Sequence, residues 1–263
     1  MNARLLDGKS TVITGSGSGV GKAAALLFAE NGAKVICADV REDWNEAVAA
    51  EIRAAGGEAQ AVHCDVTRRA DVEAAIASAV SAYGRLDVIY NNAGVASPMT
   101  PEGGMKSFVD ATDEDIDRLL AINVKGVLYG CQAAIVQFRK QGGGGVIVNT
   151  ASVAGMFGWG GALYGATKGA VVNLARRLAI ELGPENIRVN NVCPGSMVTN
   201  FGIGGLGVEL PQAALDSMAA LQPLGRIIEP SEPAQVALFL ASDLAINITG
   251  INVPVDGGVM AGK

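Results

Sequence analysis

The stretch Ser10-Thr11-Val12-Ile13-Thr14-Gly15-Ser16-Gly17-Ser18-Gly19-Val20-Gly21 decides the fold. Its first five residues read as a short strand, Ser10–Thr14, and a helix is expected over Val20–Glu30. Between them lies a glycine-rich turn. Glycines let the backbone bend sharply and approach a pyrophosphate closely, and the helix N-terminus beyond offers free N–H groups and the positive end of its dipole. The spacing departs from GxGxxG: counted from Gly15, the last position falls on Val20, and the pattern is Thr-Gly-x-x-x-Gly-x-Gly. A strand before and a helix after point to a nucleotide site. A merely tight strand–helix turn is the other reading.

Outward from this turn, short apolar runs alternate with amphipathic segments. Strands are expected at Lys34–Asp39, Ala59–Cys64, Val88–Asn91, Gly145–Thr150, Arg188–Val192 and Ile251–Val255. Helices are expected at Glu42–Ala55, Asp71–Tyr83 and Ala162–Leu182, with another capped by Thr112 and running toward Gln141. Strands this short, apolar and β-branched, separated by helices, imply an α/β fold with a parallel sheet covered on both faces. Ala96–Phe108 and Gly202–Pro211 interrupt the pattern as loops, the second expected to be mobile. Gln212–Leu221 could form a short helix on a lid spanning roughly residues 196–222. No linker or repeat divides the 263 residues, so one domain over 1–263 is expected.

Composition narrows the function classes. The chain is 49% hydrophobic but only 5% aromatic, so aliphatic side chains and alanine do most of the packing. A formal net charge of −6 with no basic stripe argues against nucleic acid. Any anionic ligand is then held by local groups. Cys37, Cys64, Cys131 and Cys193 show no CxxC or His/Cys cluster and read as buried free thiols. No metal site is visible, and the lone His63 reads as structural or near an adenine. A polar start and the lack of an 18-residue apolar run give no signal peptide or membrane segment, so a cytoplasmic location is expected.

Asp39 closes the second expected strand, eighteen residues after Gly21. A carboxylate there can accept hydrogen bonds from the adenosine ribose hydroxyls and would repel a 2′-phosphate, which favours NAD over NADP. Ser18 brings no positive charge for that phosphate either. Arg41, two residues on, is either a solvated loop arginine or a cation within reach of a phosphate.

Here the sequence resembles the short-chain dehydrogenases/reductases. The likeness rests on Thr14–Gly21, on Asp65-Val66, on Asn91-Asn92-Ala93-Gly94 and on Tyr164-Gly165-Ala166-Thr167-Lys168, and it extends from about Lys9 to Gly258. It implies a single Rossmann-type doubly wound domain with a seven-stranded parallel sheet flanked by helices. It further implies that Gly15, Ser18, Gly19, Val20 and Gly21 cradle the cofactor, that Asp65 with Val66 meets the adenine, and that Asn92, Ala93 and Gly94 line the cofactor beside the central sheet. Pro194 and Gly195 would lie over the nicotinamide, and the Thr199 hydroxyl would bind its carboxamide. The long helices Thr112–Gln141 and Ala162–Leu182 would form a dimer interface, and the Ile251–Val259 tail would contribute to a homotetramer.

Tyr164 and Lys168 are four residues apart, on one face of a helix. Read alone, such a pair is an ordinary surface pair. As a functional pair, an ammonium about 5 Å from the phenol at an effective dielectric near 20 would stabilise the phenolate by roughly 3 kcal/mol, about 2 pKa units. Lys168 could also hold the nicotinamide ribose. Ser152, just past the fifth strand, can hydrogen-bond and polarise the reacting oxygen. Asn123 is either a helix-kink residue or, as the family's fourth position, binds a water that links Lys168 to solvent. The expected reaction is hydride transfer between NAD(H) and a carbinol carbon, with Tyr164 moving the proton. Met156, Phe157, Trp159, Leu163, Met197, Phe201, Ile203 and Leu206 could line an apolar pocket free of arginine and lysine, which suits a hydrophobic secondary alcohol or ketone. A 3-oxoacyl thioester reductase and a non-catalytic dinucleotide-binding scaffold are the alternatives.

Overall fold

A computed structural model describes residues 4–100, 104–199 and 210–262. Its seven parallel strands are β1 (Ser10–Thr14), β2 (Lys34–Asp39), β3 (Glu58–His63), β4 (Val88–Asn91), β5 (Gly145–Thr150), β6 (Ile187–Pro194) and β7 (Asn252–Val255). They form one sheet in the order β3-β2-β1-β4-β5-β6-β7. The chain builds outward from β1 through β2 to β3, then crosses back to place β4 on the other side of β1. That reversal opens a crevice at the carboxyl ends of β1 and β4.

The strands are apolar on both faces because each face is covered. Val12, Ile36, Ile89, Ile147 and Val189 point into one core, shared with α3 (Arg69–Tyr83), α5 (Gly126–Gln141) and α6 (Ala162–Leu182). Their neighbours Ile13, Val35, Val88 and Val148 point into the other, shared with α1 (Gly19–Glu30), α2 (Glu42–Ala54) and α8 (Ser231–Ala241). The period of two along each strand thus divides the side chains between two layers. Phe28 of α1 stacks on Tyr90 of β4, both fully buried, and large rings there offset the scarcity of aromatics elsewhere.

Four asparagines cross this apolar interior in register. Asn91, Asn149, Asn191 and Asn252 are partners on adjacent strands β4 to β7. Asn91 Nδ2 donates to Asn149 Oδ1 at 2.9 Å, Asn149 Nδ2 to Asn191 Oδ1 at 3.0 Å, and Asn191 Nδ2 to Asn252 Oδ1 at 2.7 Å. A carboxamide is both donor and acceptor, so each link satisfies its neighbour. Slipping one strand by a residue would strand these groups in hydrocarbon, so the ladder fixes register. Asn91 Oδ1, at the open end, has no hydrogen-bond partner among the described residues and lies against Gly130, where a Cβ would strike it.

Most elements match the sequence expectation to within a residue or two, the usual scatter of element ends. Three do not. The long helix begins as expected at Thr112, whose Oγ1 accepts from Asp115 N while Asp115 Oδ2 accepts from Thr112 N. It is then interrupted: α4 (Asp113–Leu119) passes through a π-helical turn, Leu120–Lys125, before α5. Secondly, α8 was not expected; Ser231, Gln235 and Phe239 form a narrow exposed stripe, and Ala234, Ala237, Leu238 and Ala241 pack against α1 and the sheet. Thirdly, the stretch Asp113–Gln141 is long and apolar enough, by length and composition, to cross a membrane, whereas the sequence offered no uninterrupted apolar run. Here Val127, Cys131, Ala134 and Phe138 turn its apolar side into the sheet's core. The helix expected at Gln212–Leu221 is α7 (Gln212–Ala220), and α9 (Val259–Gly262) is the last element among the described residues. Residues 202–209 of the expected mobile loop lie outside the described residues.

Candidate active site

A cleft of about 330 Å³ opens at the carboxyl ends of the strands. Gly15, Ser18, Gly19 and Val20 of the turn face it, as do Asp39 at the end of β2, Asp65 and Val66 after β3, and Asn92, Ala93 and Gly94 after β4. Ser152, Tyr164, Lys168, Pro194, Gly195 and Thr199 close the other side. Of the residues singled out in the sequence as site members, Gly21 and Asn123 do not line it. Both sit behind it.

Gly21 is required by close packing. A Cβ there would run into the carbonyl oxygen of Gly15, so the first turn of α1 can lie directly on the loop. Gly15 itself has φ 67°, and a Cβ on it would come within 2.8 Å of Ala93 Cα. Thr14 and Asn92 hold the turn from behind: Thr14 Oγ1 accepts from the N–H of both Asn92 and Ala93, and Asn92 Nδ2 donates to Thr14 O at 3.1 Å. No side chain caps α1, and its N-terminus at Ser18, Gly19 and Val20 opens on the cleft. A diphosphate fits this cradle, since uncapped N–H groups and a positive dipole end meet a backbone that no side chain obstructs. Asp39 Oδ2 accepts from Gly17 N and its Oδ1 from Arg41 N, each at 2.9 Å, which fixes the carboxylate at the cleft edge with lone pairs to spare for hydroxyl donors. Asp65 Oδ1 accepts from the backbone and hydroxyl of Thr67, which turns the chain after β3.

Tyr164 and Ser152 share a hydrogen bond between their hydroxyls. Ser152 comes from the loop beyond β5, where its Oγ also accepts from Ala154 N at 3.1 Å, and Tyr164 comes from the first turn of α6. Lys168, one helical turn on, is 1% exposed and donates from Nζ to Thr150 O at 2.8 Å. Its Nζ stands 5.8 Å from the centre of the Tyr164 ring. The electrostatics differ from the sequence expectation. Burial pushes the Tyr164 phenol above its ordinary value, only partly opposed by the Ser152 hydrogen bond, and burial pulls Lys168 down to about 8. Desolvation disfavours both charged forms.

Asn123 is fully buried on the π-helical turn. Its Oδ1 accepts from Val95 N at 2.8 Å, and its Nδ2 donates to Val95 O at 2.9 Å and to Thr167 Oγ1 at 3.2 Å. Both amide protons are therefore spent on the protein, and Oδ1 keeps one lone pair. The amide ties the loop after β4 to the helix that carries Tyr164. Thr167 Oγ1 in turn donates to Tyr164 O at 2.7 Å.

The expected pocket walls are also revised. Met156, Phe157 and Trp159 pack against the core and not into the cleft, and Phe157 and Trp159 stack on each other. Leu163 does not face the cleft among the described residues, and Phe201, Ile203 and Leu206 lie outside those residues. Met197 does face it, joined by Val95 and Ile122, which the sequence reading missed. Thr150 was missed as well; its position at the end of β5 was its one signal. Its carbonyl accepts from Lys168 and its hydroxyl bonds Tyr90 and Asn92, so it links the buried sheet to the site. His63 pairs with Glu42 at 3.2 Å, at the end of β3. All four cysteines are buried and free, and among the described residues no three His, Cys, Asp or Glu side chains are grouped to hold a metal.

Known proteins share this arrangement. A family model described as enoyl-(acyl carrier protein) reductase matches residues 15–260. The 2,5-dichloro-2,5-cyclohexadiene-1,4-diol dehydrogenase LinX of Sphingobium indicum is 40% identical over 261 residues, 99% of either chain. The chain belongs to the short-chain dehydrogenase/reductase family. A second member of that family, the meso-2,3-butanediol dehydrogenase of Serratia marcescens, is 41% identical over 256 residues, 97% of this chain and 96% of that one. A solved short-chain dehydrogenase/reductase from Mycobacterium marinum superposes with a TM-score of 0.87 at 35% identity, over 98% of both chains. The chain is thus an oxidoreductase of a family that binds NAD(P) and acts on small molecules.

Proposed function

We propose that this protein interconverts a hydrophobic secondary alcohol and its ketone using NAD(H), with Tyr164 as the acid/base. The observation that carries the reading is the hydrogen-bonded pair of Ser152 and Tyr164 hydroxyls at the cleft wall, with the buried ammonium of Lys168 one helical turn away. The cofactor, when bound, supplies the hydride acceptor in one direction and the donor in the other. The chain supplies the rest. Gly15, Ser18, Gly19 and Val20 hold the diphosphate, Asp39 the adenosine ribose, Asp65 and Val66 the adenine edge. Asn92, Ala93 and Gly94 back the cradle, while Pro194, Gly195 and Thr199 cover the nicotinamide end.

In the oxidation direction Tyr164 Oη takes the hydroxyl proton of the substrate, and in reduction it returns one. Ser152 Oγ holds the same oxygen by a hydrogen bond. Lys168 holds positive charge beside the phenol, which favours the phenolate as the proton leaves. Asn123 and Thr167 position the helix that carries Tyr164.

The apolar side chains Val95, Ile122 and Met197 at this end of the cleft support an apolar substrate. The named relatives are dehydrogenases of a cyclic diol and a vicinal diol, which supports a ring-borne or vicinal secondary alcohol. Exposed apolar side chains on α5 and α6, Val136 and Ile180, support a dimer through these helices, and Ile246 and Ile251 before β7 support its pairing into a tetramer. The buried thiols fit a reducing cytoplasm. Purified protein with NAD⁺ or NADH and a panel of cyclic and acyclic secondary alcohols, ketones and 3-oxoacyl thioesters tests the reading. Turnover of alcohols or ketones that is lost in Tyr164→Phe supports it. Turnover of thioesters alone, or none with any substrate, overturns it.

A further inference from the structure

The stretch after β2 carries a cation that does not serve the cleft. Asp39 and Val40 face the cleft and Arg41 does not. Its guanidinium lies over the ring of Trp44, with Cζ 4.2 Å from the ring centroid, and its Nε is 3.7 Å from Asp43 Oδ1. The backbone N–H of the same arginine binds Asp39 Oδ1, so the main chain is tied to the cleft edge while the side chain leaves it.

Trp44 is a fixed shelf. The next residue, Asn45, is 1% exposed and is held on three sides: by Ser16 Oγ at 2.8 Å, by Cys37 O at 2.8 Å and by Val62 O at 3.1 Å. Those bonds lock the first turn of α2 to the glycine turn, to β2 and to β3. A Cβ on Gly17 would come within 3.1 Å of both Asp39 Oδ2 and Trp44 Cβ, so carboxylate and indole flank the same loop. Among the described residues facing the cleft, the one cation is Lys168, which is committed to Thr150.

We infer that Trp44, aided by Asp43, determines cofactor specificity by holding Arg41 away from the adenosine ribose. The inference rests on the NAD(H) reading and extends it. Asp39 repels a 2′-phosphate, and Trp44 removes the cation that could otherwise compensate. A guanidinium is a strong phosphate ligand when free, because it offers a fork of donors. Stacked on an indole and paired with a carboxylate, it is occupied. Neutralising Asp39 alone therefore leaves a 2′-phosphate without a partner. Specificity is then a double lock, one element repulsive and one that withholds an attraction.

Binding titrations that follow the fluorescence of NADH and NADPH test this without a substrate. Wild type is expected to bind NADH more tightly than NADPH. Asp39→Ser is expected to weaken NADH and leave NADPH weak. Adding Trp44→Ala to Asp39→Ser is expected to tighten NADPH by about two- to fivefold, the cost of breaking one exposed cation–π contact. Adding Arg41→Ala to that pair is expected to abolish the gain. NADPH binding no tighter in the double variant than in Asp39→Ser, or a gain that survives Arg41→Ala, overturns the role of Trp44 while leaving the NAD reading intact. Wild type that binds NADPH as tightly as NADH overturns the NAD reading and this inference with it. Trp44→Leu keeps the packing on Gly17 without a π face and serves the same comparison should the alanine variant not fold.

Discussion

Lys168 donates from Nζ to the carbonyl oxygen of Thr150 at 2.8 Å, in a position that is 1% exposed. One hydrogen bond does not repay the burial of an ammonium, and burial holds the lysine at about 8, below its ordinary 10.5. The unfolded chain thus binds more protons than the folded one between these values. The cost is fully present below about 8 and is relieved as pH rises toward 10.5. Below that window it amounts to roughly 3 kcal/mol. Lys168→Met is expected to raise the melting temperature near neutral pH and to lose this advantage near pH 10, while ending turnover. Thermal melts at both pH values check it; a less stable variant near neutrality would refute the assigned cost.

Tyr164→Phe removes the proton-transfer atom and keeps the ring. Turnover is expected to fall by roughly 10²–10⁴-fold, the usual contribution of a positioned acid or base. NADH affinity should stay near wild type. Ser152→Ala is expected to lower kcat by about 10²-fold, since one donor to the reacting oxygen is lost. Steady-state kinetics beside NADH titrations separate the two effects, and a parallel loss of NADH binding would assign Tyr164 to the cofactor alone.

Burial favours the neutral phenol of Tyr164. Alcohol oxidation needs the phenolate, so its rate should climb with pH through the neutral range and into the alkaline. Ketone reduction needs the phenol and should stay level over the same range. Initial rates in both directions across buffers of about pH 6 to 10 test the asymmetry. A level oxidation profile would mean that another group takes the proton.

Asn149 sits in the middle of the amide ladder, accepting from Asn91 and donating to Asn191. Asn149→Ala leaves a donor and an acceptor buried and unpaired. A loss of roughly 2–4 kcal/mol is expected in urea unfolding. A change under 1 kcal/mol would show that the ladder contributes little to stability.

The strand–glycine turn–helix at Ser10–Gly21, the alternation after it and the four-residue spacing of Tyr164 and Lys168 were legible because each is local. A β-branched run, a set of glycines and a helical period need no distant partner to be read. What those residues touch was less legible. Asn123 read as either a helix-kink residue or a water ligand, and neither reading contained its bonds to Val95 and Thr167, 28 and 44 residues away. Phe157 and Trp159 read as pocket walls because they follow Ser152, yet the loop turns them into the core.

The sequence by itself determined the succession of strands, the parallel sheet and the chemical types gathered at its carboxyl edge. Local backbone preference and hydrophobic period are properties of neighbouring residues. Only the tertiary structure decided the charge balance of the candidate site. The sequence predicts that Lys168 lowers Tyr164, because at a fixed distance opposite charges attract. The fold buries Lys168 and sets Tyr164 in the cleft wall, and desolvation raises the phenol and depresses the lysine. Arg41 was open in the sequence for the same reason. Its partner could be a phosphate or the solvent, and the placement of Trp44 by a locked Asn45 supplies a third answer that spacing alone does not contain.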